Sequence, residues 1–553
     1  MMLLFGRQSV HWRHIVDEHA GDRMQKQSIS VTFGLFLLVT LLLGCSHTTN
    51  TALARFESDP DRSYRFNPTK ADGDTLVVVT LSGGGIRAAA LSFGALQTLA
   101  GLTGTGDDTL LDQVDIISSV SGGSVTAGWY ALKGRAGLNP PYDGNSLWNF
   151  LYHDWTPELA WRGLNPVTAV RYAFSDYSRS DLLSGFFADK LYGDATYGAI
   201  LDRYRNDKHQ PYVILNSTDL GHETGFQFTQ GQFDRICSDL SRYHLADAVA
   251  ASANFPLVFS ATGLKNHSNC EAQHSNAWNN DGPPQWIKHY DQFSMPISHT
   301  ANAYQLTELR QARQAKTLID SNPRDSYIHL LDGGLIDNLG VRSTLAIEDD
   351  PARVPGLYLR LGAPRRDGMP VRPNGYENIR RLLYIVVNAR TRDPANLDQR
   401  EYPPGEIATT LRMIDTQLDN SILDDEAYLI AQLEAIANRE TPKPNAALPP
   451  PPFLSAKTAA QATHSLPMST PGLTFYSVAV DFDQIPDPEC RERYWALGTN
   501  WGLKNRQIKA LIELAKVLVG NSNDLREFYK DIGKPALAPK PTDFKEVCDV
   551  NQM

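Results

Sequence analysis

One run of residues constrains the fold more than any other feature of this chain. Thr75–Leu81 (TLVVVTL) is almost wholly apolar and β-branched, and three glycines follow it directly. Such a run is typical of a strand buried on both faces of a parallel sheet. Residues 87–99 have helical spacing, so the glycines form a turn between a strand and a helix. A second apolar run, 114–120 (VDIISSV), again leads through small residues into a helix reaching Tyr130. Strand–turn–helix units in succession predict an α/β fold with a mainly parallel central sheet.

The rest of the chain predicts one large domain over 73–535, interrupted by insertions. Further strands are expected at 212–216, 327–331, 382–388 and 473–480, and an amphipathic helix at 508–518. The insertions are an aromatic, helical one at 147–204, a polar loop at 266–300, and a third at 400–470. The third contains a predicted helix pair at 407–438 and a proline-rich connector at 442–452. A polar tether, 45–72, precedes the domain, and a tail, 536–553, follows it.

The start of the chain carries an export signal. Residues 29–43 form an uncharged apolar run of 15 residues, which is short for a membrane span but suits a signal-peptide core. Leu42-Leu43-Gly44-Cys45 resembles a bacterial lipobox. This resemblance implies a signal peptide over 1–44, with Met24 as an alternative start, and a lipidated Cys45. Ser46, in place of an aspartate, favours the outer membrane if the cell has one. The alternative is an uncleaved N-terminal anchor helix.

Charge and cysteine content agree with an exported protein. The net charge of −10 argues against a nucleic-acid partner. Apart from Cys45 there are four cysteines, an even number that suggests disulfides in an oxidising compartment. We expect the near pairs Cys237 with Cys270 and Cys490 with Cys548, against two other connectivities or four free thiols. His267, Cys270 and His274 form only a loose cluster, so no metal site is expected.

Ser121 stands where a catalytic nucleophile would. Ser119-Val120-Ser121-Gly122-Gly123 lies between a predicted strand and a predicted helix, as in the G-x-S-x-G elbow. The tight turn needs small residues around the nucleophile, and Ser119 takes the place of the first glycine. The helix N-terminus would favour an alkoxide or oxyanion at Ser121. The alternative is an ordinary serine N-cap.

The glycine turn after the first strand is a candidate anion site. In Ser82-Gly83-Gly84-Gly85-Ile86-Arg87, backbone amides can converge on an anion. Gly83, Gly85 and Ala88 also fit the dinucleotide-binding fingerprint, which is the alternative reading of this turn. Arg87 either braces the glycine loop or lies on the helix surface.

A third group of residues follows the predicted strand at 327–331. Asp332 comes directly after this strand, and Gly333 and Gly334 follow it. In α/β folds the ends of strands open into the crevice that binds ligands, so an aspartate here is a candidate site residue. The alternative is a simple Asp-Gly turn.

Together these three pieces, in this chain order, resemble the patatin-like phospholipase family. The resemblance implies a three-layer α/β sandwich and a Ser–Asp dyad without histidine. It assigns the nucleophile to Ser121, its partner to Asp332 and the oxyanion-hole loop to Gly83, Gly84 and Gly85. Arg87, Gly123, Gly333 and Gly334 become supporting residues. The expected substrate is a membrane phospholipid or another acyl ester, with no cofactor or metal.

The resemblance covers about 75–388 and includes 216–219, 248–256 and 338–340. Ser82 departs from the aspartate of plant patatins, and Ser119 departs from the usual glycine. Two rival functions remain open. One is a Ser-His-Asp hydrolase, for which only His464 follows Asp332. The other is a catalytically weak or inactive lipoprotein that binds lipid or a partner. The aromatic insertion, with Trp155 and Trp161, is either a lid or lipid-facing surface, or ordinary core.

Overall fold

The structure is a computed structural model of the 553-residue chain. It describes residues 48–70, 73–104, 108–268, 270, 310, 314–315, 317–318, 326–345, 347, 365–366, 369–370, 378–392, 405–437 and 474–549. The predicted signal peptide with Met24, Cys45, His274, the proline-rich connector and His464 lie outside these residues. Our expectations for them therefore stay predictions.

The strands agree closely with the apolar runs of the sequence. They are β1 Thr75–Leu81, β2 Ile116–Val120, β3 Tyr212–Asp219, β4 Thr224–Gln227, β5 Thr262–Lys265, β6 Tyr327–Asp332, β7 Arg365–Arg366, β8 Met369–Pro370, β9 Arg381–Asn388 and β10 Thr474–Asp481. All six predicted strands form. The sequence pattern missed β4, β5, β7 and β8, because two to four residues are too few to show a period.

Helices fill most of the intervening segments. They are α1 Gly85–Gly101, α2 Gly122–Lys133, α3 Leu147–Leu151, α4 Thr156–Leu164, α5 Pro166–Phe174, α6 Arg179–Phe187, α7 Tyr197–Asn206, α8 Gln230–Asp234, α9 Leu245–Ser252, α10 Gly334–Asp337, α11 Val341–Leu345, α12 Glu406–Ala437, α13 Pro488–Trp495, α14 Asn505–Asn521 and α15 Asn523–Asp531. The aromatic insertion is helical, as predicted. Within the described residues, no helix combines the length and apolar character that a bilayer crossing requires.

The central sheet is mixed and mostly parallel. Its order is β10-β9-β1-β2-β3-β6-β5, and β4 also pairs with β3. From β10 to β3 every pairing is parallel, whereas β4, β6 and β5 add antiparallel pairings at one side. Strand β6 overlaps only the last three residues of β3, so Asp332 pairs with Ser217 near the carboxyl end of β3. Asp332 therefore reaches the same edge as the ends of β1 and β2, although its own strand runs antiparallel to β3.

Neighbouring residues of β2 contact helices on opposite faces of the sheet, which defines the layers of the sandwich. The Ser118 hydroxyl donates to the Gly340 carbonyl, just before α11, whereas Ser119 contacts Ser124 of α2. Neighbouring strand residues point to opposite faces, so α2 and α11 cover opposite faces of the sheet. Helix α1 packs between α2 and α14 on one side, and α12 packs on α10 and α11 on the other. The architecture is the predicted three-layer α/β sandwich.

The segment expected to be a polar tether is instead packed against the domain from residue 50 onwards. Tyr64 is buried, and its hydroxyl donates to the Val213 carbonyl of β3. Arg65 is also buried and forms an ion pair with Asp234. Tyrosine and arginine can bury their apolar parts when their polar ends find partners, and the polar appearance of the segment concealed this.

One prediction for the second half of the chain is also wrong. The expected helix pair is one continuous helix, α12, because no glycine or proline interrupts its sequence. The C-terminal tail is joined to the domain by the disulfide that we expected between Cys548 and Cys490. Beside this disulfide the Tyr494 hydroxyl donates to the Val547 carbonyl at 2.8 Å.

Candidate active site

Ser121 lies on a strained turn between β2 and α2. Its φ of 49° and ψ of −117° are unusual for a residue other than glycine. Its side chain makes no capping hydrogen bond to α2, so it does not act as the N-cap that the sequence left open. A Cβ at Gly122 would overlap the carbonyl oxygen of Gly85, and one at Gly123 would overlap that of Leu81. Only glycines allow the chain to turn this closely, which is the geometry of a nucleophile elbow.

Ser119, which stands at the position of the usual first glycine, is hydrogen-bonded to other residues around the elbow. Ser119 is fully buried, and its hydroxyl lies 3.0 Å from the Ser124 hydroxyl and donates to the Ile214 carbonyl at 3.2 Å. The Ser124 hydroxyl in turn lies 2.8 Å from that of Ser252. Ser252 accepts the backbone amide of Ser121 at 3.0 Å. The polar residues therefore form a small network beneath the nucleophile.

Asp332 is held by backbone hydrogen bonds from the end of α9. Its amide donates to the Asn254 carbonyl at 3.1 Å, and the Gly333 amide donates to the Ser252 carbonyl at 3.2 Å. A Cβ at Gly333 would overlap the carbonyl oxygen of Asn216. Gly333 is therefore needed for the close approach of this turn to β3.

The side chain of Ser121 approaches that of Asp332 closely enough for its hydroxyl to lower the pKa of the carboxyl group. Both residues are buried, and Oδ1 of Asp332 also accepts the Gly334 amide at 2.9 Å. Burial raises the pKa of Asp332 from 3.8 to about 6, and the bonds from Gly334 and Ser121 oppose this rise. A carboxyl group with this pKa is ionised at neutral pH and is a stronger base than an exposed aspartate. No histidine contacts Ser121 within the part of the chain that the structure describes.

The glycine loop presents amides beside the nucleophile. Gly84 has a φ of 137° and Gly85 a φ of 59°, both in the region that favours glycine. Among the described residues, neither amide has a hydrogen-bond acceptor, and the same holds for Gly122. The amide of Gly83, however, donates to the Asn338 carbonyl at 3.1 Å. The amide of Gly83, which we expected to face an oxyanion, is therefore already paired in this structure, and the amide of Gly122 is an additional candidate donor that we did not predict.

Arg87 braces this loop, the first of the two roles left open for it. The side chain is buried, and it donates to the Ala389 carbonyl at 2.8 Å and the Leu497 carbonyl at 2.6 Å. The Ser82 hydroxyl accepts the Ala389 amide at 2.9 Å. The residue at the family's aspartate position therefore joins the start of the loop to the end of β9.

Asn338, Ser252 and Asn254 were not assigned roles from the sequence. The side-chain oxygen of Asn338 occupies the space where a Cβ at Gly83 or Gly334 would lie, so Asn338 touches both loops of the site. Ser252 and Asn254 contact the nucleophile turn and the Asp332 turn. The sequence offered one signal for these residues, since each is polar within a segment of small or apolar residues. Their roles could not be assigned because their partners lie far away in the sequence.

The aromatic insertion divides into core and surface. Trp155 stacks on the Phe150 ring, with 5.2 Å between ring centroids, and its indole nitrogen donates to the Phe150 carbonyl. Trp161 is 68% exposed. Trp155 is therefore part of the core, whereas the lid or lipid-facing reading of the exposed Trp161 stays a prediction.

The cysteines outside the predicted lipobox form the two near pairs. Cys237 is bonded to Cys270, and Cys490 to Cys548. Because the sulfur of Cys270 is part of this disulfide, it cannot act as a thiolate ligand in the loose cluster with His267. In the described ranges, no group of three His, Cys, Asp or Glu side chains could hold a metal ion.

Comparisons with known proteins agree with this geometry. Residues 79–345 match the family model described as patatin-like phospholipase. No curated protein matches the chain.

Solved structures similar to this chain include human GIVD cytosolic phospholipase A2, at 13% identity and a TM-score of 0.39. That alignment covers 94% of this chain but 65% of the human enzyme, so the chain spans less than two thirds of its length. VipD from Legionella pneumophila is similar at 11% identity and a TM-score of 0.22, over 80% of this chain and 67% of VipD. Residues 79–345 therefore form a patatin-like phospholipase domain, as the resemblance in the sequence implied.

Proposed function

We propose that this protein is a membrane-anchored serine acyl hydrolase that cleaves phospholipids or related lipid esters through Ser121 and Asp332. The observation that carries the proposal is the approach of the Ser121 hydroxyl to the buried Asp332 carboxyl, whose pKa it lowers. Beside them lie the amides of Gly84, Gly85 and Gly122, which have no acceptor among the described residues. A serine becomes a nucleophile when an adjacent base accepts its proton.

The first half of the reaction acylates the serine. Asp332 accepts the proton as Ser121 Oγ forms a bond to the ester carbonyl carbon. The amides of Gly84, Gly85 and Gly122 donate to the oxyanion, helped by the N-termini of α1 and α2. When the tetrahedral intermediate collapses, the bond to the leaving alcohol breaks. Asp332 gives its proton to that alcohol.

The second half returns the enzyme to its starting state. A water molecule attacks the acyl-serine carbon and gives a proton to Asp332. Collapse of the second intermediate releases the fatty acid, and Ser121 Oγ recovers the proton from Asp332. None of these steps uses a metal ion.

The test is hydrolysis of p-nitrophenyl butyrate and of phospholipid vesicles by the full chain, with and without EDTA. We expect turnover that is indifferent to EDTA and is lost by at least about 10³-fold in Ser121→Ala. Turnover that survives in Ser121→Ala would remove Ser121 as the nucleophile. A folded wild-type protein without turnover on either substrate would favour the inactive lipoprotein.

The membrane anchor is a separate part of the proposal and rests on the sequence around Cys45. Cells expressing the full chain are grown with labelled palmitate, and Cys45→Ala is the comparison. We expect label on the wild-type protein only, with the wild type in the membrane fraction. Equal labelling of both proteins would exclude Cys45 as the lipidation site.

A further inference from the structure

Helices α4 and α5 turn their large apolar side chains towards solvent. Phe174 is 83% exposed, and the others are at least half exposed. We call this set the outer apolar face: Trp161, Leu164, Val167, Val170 and Phe174. Soluble proteins seldom expose so many large apolar residues together, and such patches mark contacts with a partner or a membrane.

The orientation of α5 is the reverse of an ordinary surface helix. Val167, Val170 and Phe174 follow an i, i+3, i+7 spacing, which places them on one side of the helix. The buried residues of α5 are Thr168 and Tyr172, on the opposite side. A helix of a water-soluble domain normally buries its apolar side. The apolar side of α5 thus faces outwards, as in helices that lie in a membrane interface.

This face is joined to the rim of the candidate active site. Arg179, at the start of α6, donates to the Leu257 carbonyl at 2.8 Å. Leu257 and Val258 are each half exposed and follow Asn254, which accepts the Asp332 amide, by three and four residues. Four residues of chain span at most about 14 Å, so Leu257 and Val258 lie within that distance of the residue that holds the Asp332 backbone. Leu257 has a φ of 70°, a costly conformation for a leucine, and it is held there with its side chain exposed.

The chain reaches the predicted lipid anchor from the same part of the molecule. The Thr49 hydroxyl donates to Asp247 at 3.1 Å, and Ser184 of α6 donates to the same carboxylate. Only four residues, or at most about 14 Å of chain, separate Thr49 from Cys45. Helix α6 also packs against α4, which carries Trp161 and Leu164. A membrane that holds an acylated Cys45 is therefore close to α6 and to the outer apolar face.

We propose that the outer apolar face, together with Leu257 and Val258, inserts into the surface of a phospholipid bilayer and holds the active site against it. This inference rests on the proposed function, because it names the physical form in which the lipid ester is met. The net charge of −10 gives no general attraction to anionic lipid. The contact is apolar, so it should depend little on salt.

The first experiment compares two double variants of the full chain. Val170→Asp/Phe174→Asp places charges on the outer apolar face. Met413→Asp/Leu423→Asp is the matched control on α12, where the two side chains are 67% and 50% exposed. The substrates are phosphatidylcholine vesicles and soluble p-nitrophenyl butyrate. We expect the face variant to lose about tenfold or more on vesicles and less than about twofold on the soluble ester. The control should retain both activities.

Two results of this experiment would overturn the inference: unchanged vesicle hydrolysis in the face variant, or an equal loss in the control. If the wild type hydrolyses neither substrate, the proposed function fails. The second experiment then decides the inference alone, because it needs no catalysis.

The second experiment measures contact between Trp161 and lipid. Vesicles carry phosphatidylcholine brominated in its acyl chains, which quenches tryptophan fluorescence at short range. The chain has nine tryptophans, so Trp161→Phe supplies the background. We expect the wild type to be quenched more than Trp161→Phe, at low and at high salt. Equal quenching would overturn the inference. So would a change from dimer to monomer in the face variant with quenching unchanged, since a second copy would then occupy the face.

Discussion

Ser121 and Asp332 meet at one edge of the sheet, but the chain holds them there by different means. Ser121 leaves the parallel strand β2, and backbone contact between Gly122 and Gly85 fixes its turn. Asp332 leaves the antiparallel strand β6, and hydrogen bonds to residues 252–254 fix its backbone. Ser121, the proposed nucleophile, is therefore positioned mainly by steric exclusion, which does not depend on pH. Asp332, the proposed base, is positioned by hydrogen bonds and its pKa is raised by burial, so its contribution depends on pH.

The largest effect should come from Asp332→Asn, which removes the base and keeps the shape. We expect activity to fall about 10³-fold, within the range of general-base catalysis. In the wild type, kcat/KM should rise with pH around a midpoint of about 6, because the carboxylate is the active form. The measurement is a pH–rate profile of ester hydrolysis for both proteins. A wild-type profile that is flat between pH 5 and 8 would contradict the role of Asp332.

The same variant should change stability in the opposite direction. Burial raises the pKa of Asp332, so the fold favours the protonated form, and the wild type loses stability as pH rises from about 4 to about 6. A rise from 3.8 to about 6 corresponds to about 3 kcal/mol. Asp332→Asn should therefore unfold at higher urea than the wild type at pH 8, and this advantage should disappear at pH 4. An advantage of equal size at both pH values would show that ionisation is not its cause.

The two disulfides extend the comparison, because one closes the loop that holds Asp332 and the other closes a loop that holds the glycine turn beside Ser121. Their sequence separations are 33 and 58 residues, so removing either by Cys→Ser pairs should cost about 4 kcal/mol of stability. The loop between Cys237 and Cys270 contains the residues that hold Asp332. The loop between Cys490 and Cys548 contains Leu497 and Asn500, which accept hydrogen bonds from Arg87 and Ile86.

Removal of the first disulfide should therefore shift the pH midpoint of activity, whereas removal of the second should lower kcat at a constant midpoint. Urea unfolding and pH–rate profiles of the two double variants check this. Equal midpoints in both variants would show that the loop between Cys237 and Cys270 does not control the environment of Asp332.

Gly122→Ala tests the steric half of the comparison. Its new methyl group would overlap the Gly85 carbonyl, so we expect a loss of about 1–3 kcal/mol in stability and a further loss of activity. The pH midpoint should not move, because Asp332 keeps its surroundings. Gly185→Ala is the matched control in α6, where a Cβ meets nothing within 4 Å. The control should be neutral or slightly more stable, since alanine favours helices. Equal unfolding of both variants would contradict close packing at Gly122.

Ser121 is held by contacts close to its own turn and Asp332 by contacts distant in the sequence, and this difference decides what the sequence could predict. The elbow at Ser121 and the glycine loop depend on residues within one strand–turn–helix unit, so their local pattern was sufficient. The position of Asp332 was predicted correctly for an incomplete reason: its strand is antiparallel and reaches the shared edge only because it overlaps the last residues of β3. The sequence could not show that the amide of Gly83 is paired, because its partner, Asn338, lies far away along the chain. We therefore assigned that amide to the oxyanion hole.

Packing over long distances also explains the other errors. Tyr64 and Arg65 looked like part of a polar tether, since the burial sites for their apolar parts are formed by residues more than a hundred positions later. For the outer apolar face the sequence left surface and core both open, for a different reason. Periodicity shows that one side of α5 is apolar, but it does not show which side faces the domain.

The smallest expected effect comes from Ser252→Ala, which removes a hydroxyl that supports the Ser121 turn and keeps the backbone carbonyl that holds the Asp332 turn. Its hydroxyl accepts the Ser121 amide and donates to the Asn216 carbonyl at 2.6 Å, while its own carbonyl accepts the Gly333 amide. Buried groups left without partners cost about 1–3 kcal/mol. We expect a loss of that size in stability and a fall of about tenfold in kcat at constant KM, because the nucleophile turn loosens while substrate contacts remain. Ser92→Ala is the control: its buried hydroxyl has no hydrogen-bond partner among the described residues, so its loss should change neither quantity. If Ser252→Ala matches this control, the hydrogen-bonded network beneath Ser121 does not position the turn that carries it.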